Sequence, residues 1–208
     1  MKYILAIIVA GVLLAAGALW YAWSGAYDIG ATRPHWPVTL SFIEILKDRS
    51  IEAHSKGIQT PNLDDSKLRE ASFPHYHEMC RLCHGAPGES TEEFATGLYP
   101  APPSMASGHI QAELSPAEIY WVVKHGIKMT GMPAFGPTHS EDILWGLTSL
   151  AKEMPRMSPD AYRQQVKAAG AAEGMGHGHA HGGSEAEAAP GHGGHEHQEH
   201  REGAEAHH

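Results

Sequence analysis

Cysteine is scarce in this chain: 208 residues contain two, Cys80 and Cys83. Positive charge is also short. Fifteen Lys and Arg stand against 24 Asp and Glu, for a formal net charge of -9. Nothing resembles a basic patch, which excludes a nucleic-acid partner; the acidity suits docking onto a basic protein surface. No segment alternates convincingly between apolar and polar residues as a half-buried strand would, and no βαβ pattern surrounds the cysteines. No set of catalytic acid, base and nucleophile stands out, so the sequence does not read as an enzyme. Large apolar residues are almost missing from the C-terminal end, whereas the start has little else.

What is there centres on Cys80-Arg81-Leu82-Cys83-His84. Two cysteines three positions apart with histidine directly after them form a c-type haem attachment motif. Each thiol adds to one haem vinyl group, so the sulfurs must lie about one helical turn apart, and the following imidazole becomes the proximal iron ligand. Both cysteines are then consumed and no disulfide remains. A bare C-x-x-C would also suit a thioredoxin-like redox pair or half of a zinc site. The zinc reading wants a second pair of ligands at matching spacing and the redox reading wants a βαβ context. His84 favours haem.

Tyr3 to Trp23 is an uncharged, nearly unbroken apolar run, and about 20 such residues cross a hydrocarbon core as a helix. Lys2 precedes it, which predicts a cytoplasmic N-terminus, and Trp20, Tyr21 and Trp23 cluster at the far end, where amphipathic rings favour the interface. A cleaved signal peptide is the competing reading, with Ser24-Gly25-Ala26 as a small-residue site, but bulky aromatics occupy the region before it. Either way the rest is exported. That agrees with haem attachment, so the expected location is the bacterial inner membrane, single-pass, with the haem domain on the periplasmic side.

The expected organisation is a transmembrane anchor over 1–25, a loop and connector helix over 26–63, a haem domain over 64–156, a short C-terminal helix over 157–172 and a disordered tail over 173–208. The connector helix spans Val38 to Lys56, either packed on the haem domain or lying at the membrane surface. Asp64-Asp65-Ser66 caps the first helix of the domain, which Pro74 would interrupt or kink. Ser115-Pro116-Ala117-Glu118 is a capping box that starts a helix through Val122, closed by Gly126. Ser140-Glu141-Asp142 caps the next, with Ile143, Leu144, Trp145, Leu147 and Leu150 as its apolar residues, and Ser158-Pro159-Asp160 starts a last one to about Ala169. Short capped helices joined by proline-rich loops predict an all-α fold.

The iron's sixth ligand separates an electron carrier from a sensor or enzyme. Met105, His109, His125, Met129, Met132 and His139 follow the motif. Met132 sits between Gly131 and Pro133 in a loop, where glycine permits close approach to a porphyrin and proline fixes the direction that follows. Met129 is less constrained and leaves a ligand switch open.

These pieces together resemble a class I, monohaem cytochrome c of the bacterial membrane-anchored type, similar to single-haem domains associated with haem-copper oxidases and periplasmic dehydrogenases. The matching pieces are Tyr76, Cys80-x-x-Cys83-His84-Gly85, Ala101-Pro102-Pro103-Ser104, Leu114-Ser115-Pro116-Ala117-Glu118, His125-Gly126, Gly131-Met132-Pro133-Ala134-Phe135 and Asp142-Ile143-Leu144-Trp145. They cover roughly Leu68 to Met154. The resemblance implies one covalent haem c on Cys80 and Cys83, iron held by His84 and Met132, and electron transfer to or from an oxidase or dehydrogenase. It also implies a carbonyl within Pro100 to Pro103 accepting from the His84 ring, and a first and last helix crossing near Tyr76 and Trp145. Ser72 stands where the family has a small glycine.

From Gly174 the chain is mostly Gly, Ala, Glu and His, a composition that cannot bury a core. His177, His179, His181, His192, His195, His197, His200, His207 and His208 lie there. The first seven are candidate ligands for copper, zinc or nickel, all of which suit neutral imidazole. The alternatives to an electron carrier are a haem-based sensor or peroxide-reactive enzyme with a displaceable Met132, and a copper- or zinc-handling protein acting through this tail.

Overall fold

The computed structural model describes residues 1–173, with side chains through residue 170. The histidine-rich tail, with every metal-binding candidate assigned to it, lies outside the described residues. Within them the fold is all-α, with no β-sheet.

Helix α1, Lys2–Trp23, has 22 residues and a mean hydropathy of 2.4. At 1.5 Å per residue it is about 33 Å long, enough to cross a bilayer core. Its side chains are unburied along the length, as a helix surrounded by lipid requires. This is a single-pass membrane anchor, with the haem domain on its far side. Ring contacts join the end of α1 to the loop beyond it: Tyr21 to Trp36 at 5.9 Å and Trp36 to Tyr27 at 5.4 Å. Helix α2, Pro37–Ser55, starts at Trp36, with proline at its first position. Proline is at home there because that N–H has no helical acceptor anyway. Ile51 and Ser55 are the buried residues of α2. Its C-terminal part packs on α6, Pro116–His125, where His54 stacks on Trp121 at 5.5 Å.

The haem motif lies on a continuous helical run. Helix α3 covers Ser66–His75 and is capped by the Asp65 carboxylate, which accepts from Lys67 N at 2.9 Å. Pro74 sits inside α3 rather than ending it. Proline has no N–H to donate, and the run answers with one π-helical turn, Tyr76–Cys80, before α4, Arg81–His84. Such turns recur at functional sites. The short α5, His109–Glu113, follows the proline-rich segment.

Helix α7, Glu141–Glu153, is the hub. Every residue from Leu144 to Ala151 is buried, so it is enclosed on all sides by α3, α6 and the chain around them. Its buried polar groups are satisfied, as burial demands. Thr148 Oγ1 donates to Leu144 O at 2.9 Å, and Ser149 Oγ donates to Leu63 O at 2.6 Å. Helices α3 and α7 come closest where Ser72 meets Gly146. A Cβ on Gly146 would sit 2.0 Å from Ser72 Oγ and 2.4 Å from Leu68 O. Tyr76 and Trp145, expected at this crossing, fall instead in different apolar clusters. Tyr76 packs with Phe73, Leu147, Leu150, Met154 and Tyr162; Trp145 packs with Tyr120 and Leu144. Small residues make the closest approach because two backbones cannot meet across large rings.

The last helix, α8, Pro159–Glu173, is part of this core. Tyr162 is fully buried in the same cluster as Tyr76, and its hydroxyl lies 2.8 Å from His77 Nδ1.

Candidate haem site

Cys80 closes the π turn, and Cys83 and His84 lie on α4. Four contacts hold this stretch. The Tyr76 hydroxyl, buried beneath it, donates to Gly85 O at 2.9 Å and fixes the chain as it leaves His84. Glu92 N donates to Leu82 O at 2.8 Å. Arg81, between the two cysteines, reaches outward to Glu92 at 3.1 Å and Glu89 at 3.5 Å, folding the 85–92 loop against the motif. Reading the sequence alone passes over Arg81, because a residue between two haem cysteines carries no chemical signal of its own.

His84 Nδ1 lies 2.8 Å from Pro103 O. A carbonyl can only accept, so Nδ1 carries the proton and Nε2 is left with a free lone pair. This tautomer is the one that ligates iron through Nε2, and the carbonyl both orients the ring and raises its basicity. Burial outweighs that bond, and the imidazole is held below its ordinary pKa, which keeps it neutral as a ligand must be. The acceptor lies within the Pro100 to Pro103 segment expected to provide it. Proline residues suit the position because the stretch needs no ladder of donors and is stiff.

Cys80 and Cys83 sit within about one helical turn, as attachment to the two vinyl groups of a haem requires. Burial, with a smaller contribution from Cys83, pushes the Cys80 thiol up to about 12. Among the described residues no group of three or more His, Cys, Asp or Glu side chains is placed to hold a metal ion.

The candidates for the opposite ligand are sorted by their surroundings. Met129 is 100% exposed, and it is the described non-glycine residue with a left-handed backbone, at φ 60°. His109 and His125 are exposed; His109 faces Glu113 and His125 leans on Trp121. His139 Nδ1 is engaged by Thr138 Oγ1 at 2.9 Å. Met105 packs against the main cluster and its backbone carbonyl accepts from Gln111.

Met132 is half-buried in a loop tied down on both sides. Its N–H donates to Thr130 Oγ1 at 3.1 Å, and its carbonyl accepts from Ile127 N at 3.1 Å. The last carbonyls of a helix have no partner within it, and here the loop provides them. Phe135 N donates to Val123 O at 3.2 Å and Gly136 N to Lys124 O at 2.9 Å. The Met132 loop is therefore the C-terminal cap of α6. Gly126, at φ 65°, makes this possible: a Cβ there would lie 2.7 Å from Met132 O, Pro133 C and Ala134 N. Gly131 packs under Leu98, whose Cδ1 would be 2.9 Å from an added Cβ.

Residues 70–150 match the family model described as cytochrome c oxidase, cbb3-type, subunit III. No curated protein and no solved structure matches the chain. The match covers less than half of the 208 residues, starts inside α3 and ends inside α7. It includes the haem motif, the Pro103 acceptor and the Met132 loop. The chain carries a haem c-binding cytochrome domain related to that oxidase-subunit family.

Proposed function

We propose that this membrane-anchored domain is an electron carrier, with one haem c held through Cys80 and Cys83 and ligated by His84 and Met132. Bound, the haem supplies a one-electron couple between ferrous and ferric iron, and a methionine ligand favours the ferrous form. The chain's own residues hold the two ligands still. Pro103 O fixes the proton on His84 Nδ1 and leaves Nε2 with a free lone pair for iron. Thr130, Ile127 and the end of α6 hold the Met132 loop. A carrier works best when its ligands move little between oxidation states, and a loop bonded at both ends meets that need.

The observation that supports the reading most is the contrast between the two neighbouring methionines. Met132 is half-buried and pinned, while Met129 is turned fully into solvent. The family match supports an oxidase as the partner, and the anchor confines encounters to the membrane plane. The test is spectroscopic, on the haem-loaded full chain. Met132→Ala should abolish the red absorption band of ferric haem with a thioether ligand, lower the midpoint potential and admit carbon monoxide readily. Met129→Ala should leave all three unchanged. A band that survives Met132→Ala would sink the ligand assignment. Rapid carbon monoxide binding by the unaltered protein would instead favour a sensor or peroxide-reactive haem.

A further inference from the structure

Helix α2 has two apolar faces, and the protein covers one. Leu40, Ile51 and Ser55 are on the covered side, with Ile51 and Ser55 buried. On the other side Val38, Phe42, Ile45 and Leu46 are between 60% and 73% exposed. Their spacing, i, i+4, i+7, i+8, puts all four on one stripe. A soluble helix gains nothing from presenting a phenylalanine, an isoleucine and a leucine to water, and contiguous exposed apolar surface marks a binding face.

Three features of the chain say what covers it. The stripe is continuous with the anchor: Trp36, which begins α2, touches Tyr21 in the last turn of α1, and Trp20, Trp23 and Trp36 are all exposed around this junction. Such rings mark the level of the lipid headgroups. The stripe also stops abruptly. Continued along the same line of the helix, it reaches Arg49, Glu52 and Lys56, which pair with one another at 3.0 and 3.4 Å. The apolar part therefore spans only about 12 Å from Val38 to Leu46. So short an apolar stripe beside an anchor suits a few helical turns lying in the interface plane with one face in the headgroup–acyl boundary; a helix–helix partner would follow the stripe further. Finally, the junction is braced to the haem domain. His35 N donates to the Tyr99 hydroxyl at 3.2 Å, the Tyr27 hydroxyl lies 2.7 Å from His35 Nδ1, and Tyr99 is four residues before Pro103.

We propose that the first turns of α2 seat Val38, Phe42, Ile45 and Leu46 in the lipid headgroup–acyl boundary beside the anchor. The haem domain is then held at one orientation to the membrane instead of swinging on the 24–36 loop. This rests on the anchor and the exposed stripe, and is independent of which residue is the sixth iron ligand.

The test uses the haem-loaded full chain in phosphatidylcholine–phosphatidylglycerol nanodiscs. Both native cysteines are consumed by the haem, so Phe42→Cys, Ile45→Cys, Glu44→Cys and Asp48→Cys each provide a single free thiol for a nitroxide spin label. An unchanged haem spectrum verifies the fold of each variant. Labels at 42 and 45 should be relaxed strongly by oxygen, which concentrates in lipid, and weakly by a water-soluble nickel chelate. Labels at 44 and 48 should show the reverse, with the oxygen-to-nickel ratio several-fold lower. Equal nickel access at all four positions would place the stripe in water and overturn the proposal. Low access to both reagents at 42 and 45 would mean that protein covers the stripe, either a second copy or a partner subunit, and would overturn it as well.

Discussion

Gly126 is the residue on which the Met132 loop turns. It ends α6 at φ 65°, and three backbone atoms of the loop would stand 2.7 Å from any side chain placed there. With ψ at -172° this is a backbone region that essentially only glycine occupies, so alanine there costs about 1–3 kcal/mol before any contact is counted, and backbone atoms cannot step aside as a flexible side chain can. Gly126→Ala should therefore weaken the thioether absorption band at unchanged haem content, and lower the unfolding midpoint. His75 responds to acid for a different reason. Burial, and next to it the facing His139, hold its imidazole below the ordinary value of 6.5, although Glu78 partly offsets this. The unfolded chain then binds a proton that the folded chain refuses. Stability is fully present above the unfolded pKa and is lost as pH falls through the folded one. Thermal melts between pH 7 and pH 5 should show this loss, and His75→Gln should reduce it; an identical pH slope in the variant would show that His75 does not titrate as described.

Helices α3 and α7 show how far local pattern carries and where it stops. The caps were legible: Asp65, Ser115 with Glu118, and Ser140 all accept the backbone N–H groups their positions predict, because capping depends on neighbours within four residues. The π turn after Pro74 was not, since a missing donor says only that the ladder must change, not whether the helix breaks or widens. The enclosure of α7 was not legible either. Gly146, Thr148 and Ser149 carry no apolar signal of burial, and it is tertiary contacts, such as α3 against Gly146 and Leu63 O against Ser149, that enclose the helix. The crossing gives an element-scale prediction. Gly146→Ala forces a Cβ against Ser72 Oγ and the Leu68 carbonyl, and overpacking of this kind costs about 1–3 kcal/mol. Ser72→Gly should rescue only part of the loss, because it removes the hydroxyl but leaves the Leu68 carbonyl, and it also gives up the 3.2 Å bond from Ser72 Oγ to Ile143 O. Chemical denaturation of the two single variants and the double variant measures the coupling directly; full rescue would mean that the Leu68 backbone yields.

At the scale of the whole molecule, the haem-binding stretch could be read from the sequence because covalent attachment demands specific residues at specific spacing. The membrane anchor could be read because its length is dictated by the bilayer. What could not be read was which outlying parts belong to the core. Helix α8 lies beyond the family match, yet Tyr162 is fully buried against Phe73, Tyr76 and Met154. The tail beyond it has the composition of a segment with nothing to bury. These two C-terminal parts should therefore behave oppositely when removed. A chain ended after Met157 loses Tyr162, and emptying a buried aromatic site costs about 3–5 kcal/mol, a large share of the stability of a small domain. Its haem content and melting temperature should both fall, with Tyr162→Ala reproducing most of the effect. A chain ended after Glu173 keeps α8 and loses nine of the 17 histidines. Its haem spectrum and melting temperature should match the full chain, while its copper stoichiometry in a calorimetric titration should drop, since neutral imidazole is the ligand that the lost segment supplies. If copper binding is unchanged by that truncation, the tail is not a metal site and its histidines need another explanation. If the melting temperature falls with it, the tail is bound to the domain and α8 is not the end of the fold.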